Sequence, residues 1–454
     1  MTAGALSVVR SNWPVNQSVR WNLQRLRHLA DIRPSNVDKK SVDGEVDVRL
    51  CNYTDVYYND SITADASFMP ATAPLAQVKR FELRQDDVLV TKDSETPADI
   101  AIAAHVRDEL SGVLCGYHLA ILRPLPHVAG RFLLYALQSQ PLAAQTEVAA
   151  SGVTRFSLST GALADLTLPV PDRAEQRTIA DFLDRETEKI DALIAKKQRL
   201  IELLQEKRTA LISRAVTKGL DPDVPMKDSG IEWLGEIPVR WIALPLRRGL
   251  LGVEQGWSPE CGTRPADDQE WGVLKAGCVN HGEFAPGQNK ALPSNLTPRA
   301  QLEVRAGDVL MSRASGSAEL VGSVAYISEC RGRLMLSDKV FRLLVDSRRA
   351  DAKFVALALN SRETRAQIES VLSGSVGLAR NIGQPTVREL ALCFPPLDEQ
   401  RDIVRVLEAK ELSTRMIVSK ADDVLERLRE YRSALITAAV TGQIDVRTYR
   451  REAS

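Results

Sequence analysis

The 454-residue chain is 44% hydrophobic and balances 59 basic against 59 acidic side chains. That length and apolar content supply more than one core, so roughly two to four domains are expected. Neutrality excludes a chain that grips nucleic acid by bulk basicity alone, and the lack of an 18-residue apolar run or a signal-peptide core in residues 1–20 points to a soluble, cytoplasmic protein.

Residues 1–168 are punctuated by Pro and Gly, with short apolar runs such as VLV (88–90) and one helical stretch near 131–140. They read as a mixed α/β globule. After Asp87-Val88-Leu89 come Lys92 and Ser94, a basic residue and a hydroxyl at one turn. That chemistry suits a phosphate, and a plain solvated turn is the alternative. Tyr53, Tyr57 and Tyr58 crowd an earlier loop, and Arg155 stands near the end of the segment. Such rings reach base edges or simply pack at a domain surface.

Residues 169–217 open on Pro169 and Pro171, with Asp172 and Glu175 at capping-box spacing. Leu183, Ile190, Leu204 and Leu211 follow a seven-residue step interrupted by Lys197, with Leu193/Ile194 and Leu200/Ile201 between. Such a helix makes a rod of roughly 65 Å that needs a coiled-coil partner. Residues 218–238, rich in Pro, Gly and Asp, form a connector.

Residues 239–395 echo the first globule. Val19-Arg20-Trp21 returns as Val239-Arg240-Trp241, Asp87-Val88-Leu89 as Asp308-Val309-Leu310, and Phe132/Leu137 as Phe354/Leu359. Arg313 and Ser315 repeat the basic–hydroxyl pair; Trp257, Asn280, Arg380 and Asn381 are further candidates for contact with nucleic acid. A second rod, 396–441, lacks the Asp cap because Pro396 stands in its place, and a tail, 442–454, follows.

The rods are copies. EQRTIADFL (175–183) returns as EQRDIVRVL (399–407), and KRTALISRAVT (207–217) as YRSALITAAVT (431–441), both at an offset of 224. This period is far above the solenoid range. The natural partner of each rod is the other, and antiparallel packing gives a pseudo-twofold internal repeat with two different heads. No phosphate loop, GxGxxG, GxSxG or HExxH is present, and Cys393-Phe394-Pro395-Pro396 is a helix leader rather than a methyltransferase motif. Six cysteines form no CxxC pair, and the tetrads Cys115/His118 and Cys278/His281 lack a second ligand pair. No metal and no catalytic activity are expected. Two function classes remain: a nucleic-acid reader, or a coiled-coil scaffold with two protein-binding heads and no nucleic acid.

The paired Pro-then-Glu-Gln-Arg leaders, the connector AVTKGLDPDVPMKDSGIEWLGEIPVRW (215–241) and the terminal AVTGQIDVR (439–447) resemble the specificity subunits of type I restriction–modification systems. The resemblance implies that each globule is a target-recognition domain for one half of a split double-stranded DNA target. The rods would set the unread gap and dock two methyltransferase subunits, and a translocating nuclease subunit would then join. Glu175, Gln176, Arg177, Glu399, Gln400 and Arg401 would belong to that scaffold and docking surface. S-adenosylmethionine, ATP and Mg would be bound by the partners, none by this chain.

Overall fold

The computed structural model describes residues 21–373 and 380–448; Val19 and Arg20 of the repeated tripeptide and residues 449–454 of the tail lie outside them. Two long helices, Arg173–Lys218 and Leu397–Val440, run through a chain that divides into two compact units. One unit ends at Gln198 and resumes at Asp422; the other is Arg199–Ala421. In the first, Ile179, Ala180, Leu183 and Ile190 share a core with Leu435, Ile436, Ala439 and Val440. In the second, Ile212, Ala215 and Val216 share one with Ile403, Val404 and Leu407. The start of one helix therefore lies with the end of the other in both units, the antiparallel pairing expected from the repeat. Toward the helix middles the apolar stripe is partly uncovered, with Ala421 and Leu425 still buried. Leu193 and Val424 in one unit, and Leu200, Leu203, Leu412, Met416 and Ile417 in the other, are exposed.

The first rod begins four residues after the expected 169, and the second begins one residue after 396. Thr167–Val170 is a strand paired with Asn22–Arg25, and Ala391–Phe394 is paired with Ile242–Pro245, so helix starts only at Arg173 and Leu397. Asp172 does cap the first, its Oδ1 accepting from the Glu175 amide at 2.9 Å. The reciprocal half of the capping box is not made, because the Glu175 carboxylate takes the Trp21 indole instead. Both rods stop at a left-handed glycine, Gly219 (φ 80°) and Gly442 (φ 69°).

Each unit carries one mixed α/β head, and the heads share a topology. In the first, Ala30–Pro34, Leu119–Pro124, Val88–Thr91, Ala103–Val106 and Ser61–Ile62 form a sheet in that order. In the second, Leu250–Gln255, Val340–Val345, Val309–Ser312 and Val324–Tyr326 repeat it without the last strand. The central strand is buried along its length in both, because alternate side chains enter opposite cores. Val88 and Val90 face the head helices and rods while Leu89 faces a smaller three-stranded sheet; Val309 and Met311 divide from Leu310 in the same way. The smaller sheet centres on Val46–Cys51 in one head and Gly272–Leu274 in the other, each flanked by one antiparallel and one parallel neighbour. The repeated aspartates anchor this frame: Asp87 pairs with Arg123 at 2.7 Å and Asp308 with Arg342 at 3.2 Å.

The connector is not a free linker. Met226–Asp228 and Glu236–Pro238 form a hairpin, and Leu234 and Ile237 enter the core of the second unit beside Trp241. Among the described residues no helix is long and apolar enough to cross a membrane.

Candidate nucleic-acid interface

In each head the strand after the Asp-Val-Leu motif leads into a turn, and that turn organises a polar rim. The Lys92 amide donates to the His118 carbonyl at 3.0 Å, and the Lys92 carbonyl accepts from Leu158 at 2.9 Å. Arg313 repeats both bonds, to Lys339 at 2.8 Å and from Ile382 at 2.9 Å. The frame is thus common to both heads, and the side chains hung on it differ: Tyr117 and His118 stand where the second head has Asp338 and Lys339.

In the first head, Lys92 Nζ donates to the Ser35 carbonyl at 3.0 Å and lies 4.9 Å from the centre of the Tyr117 ring. His118 Nδ1 is 2.7 Å from Asp93 Oδ2. The helix Tyr53–Tyr57 follows the middle strand of the small sheet, started by an Asn52/Asp55 capping box. Tyr53 and Tyr57 stack at 5.3 Å, and Tyr58 meets Tyr57 edge-on at 4.9 Å. The Tyr57 hydroxyl donates to Asp99 at 2.5 Å. That bond to a carboxylate keeps the phenol protonated, pushing its pKa up to about 12. Tyr58, at 75% exposure, is the ring that faces outward. Arg155 is exposed at the tip of a hairpin of Ser151–Gly152 and Phe156–Ser157, whose second strand pairs with Asp93–Ser94. The hairpin's pairing with Asp93–Ser94 brings Arg155 to the turn that carries Lys92, while Tyr53, Tyr57 and Tyr58 cluster around the tyrosine helix.

The second rim has different chemistry. Asn280 sits at a kink inside the 3-10 stretch Ala276–Gly282, which follows the middle strand of its small sheet as the tyrosine helix does in the first head. His281 beside it is left-handed (φ 59°). Arg299 lies 4.2 Å above the Trp257 ring, and Arg313 donates to the Asp338 carbonyl at 3.3 Å. Ala314–Ser315 pairs with Arg380–Asn381, placing Arg380 opposite Ser315 as Phe156 lies opposite Ser94. Arg380 is placed by its main chain alone, since its side chain lies outside the described residues. Residues 374–379 also lie outside them.

The two serines each accept an amide of their own turn. Ser94 is buried and accepts the Thr96 amide at 3.3 Å, and Ser315 accepts the Ser317 amide at 3.2 Å. The Cys–His tetrads also resolve into separate roles. Cys115 and Cys278 are buried thiols whose pKa burial raises, His118 is engaged by Asp93, and His281 is exposed. Sequence reasoning passed over Tyr117, Asp99 and Arg299, and weighed His118 only as a metal ligand. The signal that was available is an aromatic–His turn between the apolar runs VLC and LAIL.

Residues 19–203 match the family described as "Type I restriction modification DNA specificity domain". The EcoEI specificity subunit of Escherichia coli is 31% identical over 46% of this chain and 35% of its own length. The StySPI specificity subunit of Salmonella potsdam is 22% identical over 84% of this chain and 79% of its own length. A solved chain, from work titled for complex assembly and conformational transition of the type I R-M system, covers 93% of this chain and 98% of itself, with TM-score 0.63 and 16% identity. The chain is similar to type I specificity subunits, and residues 19–203 carry the match to their DNA specificity domain. The matched domain is a DNA specificity domain, so a scaffold without nucleic acid is not supported.

In this chain the repeated Glu-Gln-Arg joins head to rod. Glu175 and Glu399 accept the indoles of Trp21 and Trp241 at 3.1 and 3.0 Å. Gln176 and Gln400 have no exposed surface. The expectation that these two glutamines face a docking partner is therefore corrected: they are spent inside the chain. Arg177 and Arg401, one residue on, are exposed.

Proposed function

We propose that the specificity subunit reads a bipartite DNA target, one half per head, and that the rods set the gap and dock two methyltransferase subunits. The observation that carries this is the division within the duplicate. Main-chain geometry around Lys92 and Arg313 is repeated, while the rim residues diverge from Tyr117/His118 to Asp338/Lys339. Two copies of one frame with different polar rims suit two unrelated half-sequences, since base-edge contacts specify while phosphate contacts position. The exposed apolar residues Leu200, Leu203, Leu412 and Met416 in one unit, and Leu193 and Val424 in the other, give methyltransferase helices an apolar seat. The subunit itself is non-catalytic. S-adenosylmethionine, ATP and Mg belong to the methyltransferase and nuclease partners, and the assembled complex works on cytoplasmic DNA. Zero net charge fits a subunit whose phosphate contacts are shared with those partners.

Arg155→Ala tests the first rim. It removes an exposed cation at a hairpin tip without touching a core, and a lost arginine contact to a base costs about 1–3 kcal/mol, roughly five- to 150-fold. Duplex binding by the assembled methyltransferase complex should weaken by that factor when the first head's half-site is intact. It should change little when that half-site is already scrambled. Equal weakening on both duplexes would remove Arg155 from sequence reading.

A further inference from the structure

Among the contacts that join each head to the rods, two buried polar ones, one on each rod, are copied between the heads. Gln176 Oε1 accepts the Ala129 amide at 2.9 Å, and its Nε2 donates to the carbonyls of His127 (3.2 Å) and Pro171 (2.9 Å). Gln400 repeats this with the Asp351 amide (2.8 Å) and the carbonyls of Arg349 (3.3 Å) and Pro395 (2.9 Å). The second point comes from the opposite rod. Thr437 Oγ1 accepts the Gln140 amide of the first head at 3.1 Å, and Ser213 Oγ accepts the Arg362 amide of the second at 2.8 Å. Gln140 and Arg362 open the helices Gln140–Ala149 and Arg362–Ser373, so a rod hydroxyl satisfies an amide that its own helix leaves unpaired. All four rod side chains are buried, and every partner is main chain.

We infer that these two-point seats, Gln176 with Thr437 and Gln400 with Ser213, fix the tilt of each head on the rods and so restrict which gap between half-targets is accepted, in addition to rod length. The magnitudes require such a device. A head of this size is about 35 Å across, so a tilt of about 6° moves its far edge by roughly 3.4 Å, one base step. The shared core and the ion pairs hold the head against the rods, and the copied buried hydroxyl adds a directional contact from the second rod that narrows this rocking and ties each head to the register between rods.

The inference rests on the bipartite reading proposed above, and its test separates the two. The subunit is co-expressed with its methyltransferase partner, the wild-type target is defined by mapping N6-methyladenine, and duplexes with the gap stepped by one base pair are then methylated in vitro. Thr437→Val and Ser213→Ala remove the acceptors with little change in size, while Thr437→Ser and Ser213→Thr keep them. Methylation at gaps one base pair too long or short should rise at least fivefold relative to the native gap in the Val and Ala variants, with both half-sites still required. The Ser and Thr exchanges should stay at the wild-type ratio. An unchanged ratio in the Val and Ala variants, a loss spread evenly over all gaps, or an equal rise in the hydroxyl-retaining variants would overturn the seat as a gap determinant. A wild-type map without a split motif would instead remove the bipartite reading and the inference with it.

Discussion

Trp241→Ala should destabilise the unit formed by Arg199–Ala421 by about 3–5 kcal/mol, the usual cost of emptying a large buried aromatic site. Trp241 is 1% exposed and is among the largest fully buried side chains. It packs with Ile212, Val216, Ile237 and Ile403, so it binds the end of one rod, the connector and the start of the other rod into a single core. Its ring also lies against Gly219, where an added Cβ would meet it at 3.4 Å. Truncation removes this packing and leaves Glu399 without its indole donor. The repeat supplies an internal control: Trp21 makes the same bond to Glu175 but is only partly buried against its core. Trp21→Ala should therefore cost clearly less than Trp241→Ala. Urea unfolding of the two variants in the same complex checks the order, and equal losses would contradict it.

Asp87→Ala should cost a similar 3–5 kcal/mol, for a different reason. The carboxylate is 1% exposed and receives Arg123 through Nε at 2.8 Å and Nη2 at 2.7 Å, and the Arg84 amide at 2.9 Å. The pairing holds the Arg123 guanidinium more firmly protonated than usual. Removing one partner of a buried pair strands the other charge, which costs more than the intact pair gains. Replacing both, as Asp87→Ala with Arg123→Met, should therefore restore part of the loss. A double-mutant cycle with a coupling of about 1 kcal/mol or more supports this account. Strict additivity would show that the two side chains act independently.

The architecture was legible because the chain states it twice. The offset of 224 residues between the Glu-Gln-Arg starts, carried unchanged to the Ala-Val-Thr ends, required equal rods, and their apolar step required a partner. The echo of Trp21 in Trp241 was visible too, but its meaning was not. A tryptophan some 150 residues from a glutamate gives no local sign that they bond. The same limit hid the role of the glutamines. Helix periodicity places Gln176 near the start of a rod, but only the tertiary fold brings the Ala129 amide and the His127 carbonyl to it. At the rims, residue type indicated Tyr58 and Arg155 as outward-facing candidates. It could not distinguish Ser94, which is buried and accepts an amide of its own turn, from a serine open to solvent. The repeated aspartates were seen as landmarks; that they are ion-pair partners, Asp87 buried and Asp308 half-buried, depended on Arg123 and Arg342, tens of residues further along the chain.

The most direct test of the central claim is an N6-methyladenine map of host DNA, made with the methyltransferase partner expressed alone and together with this chain. The account predicts a split motif, two short specified segments separated by a fixed gap, present only when the chain is present. A motif that persists without the chain, or an assembled complex that leaves no sequence-specific methylation, would contradict it.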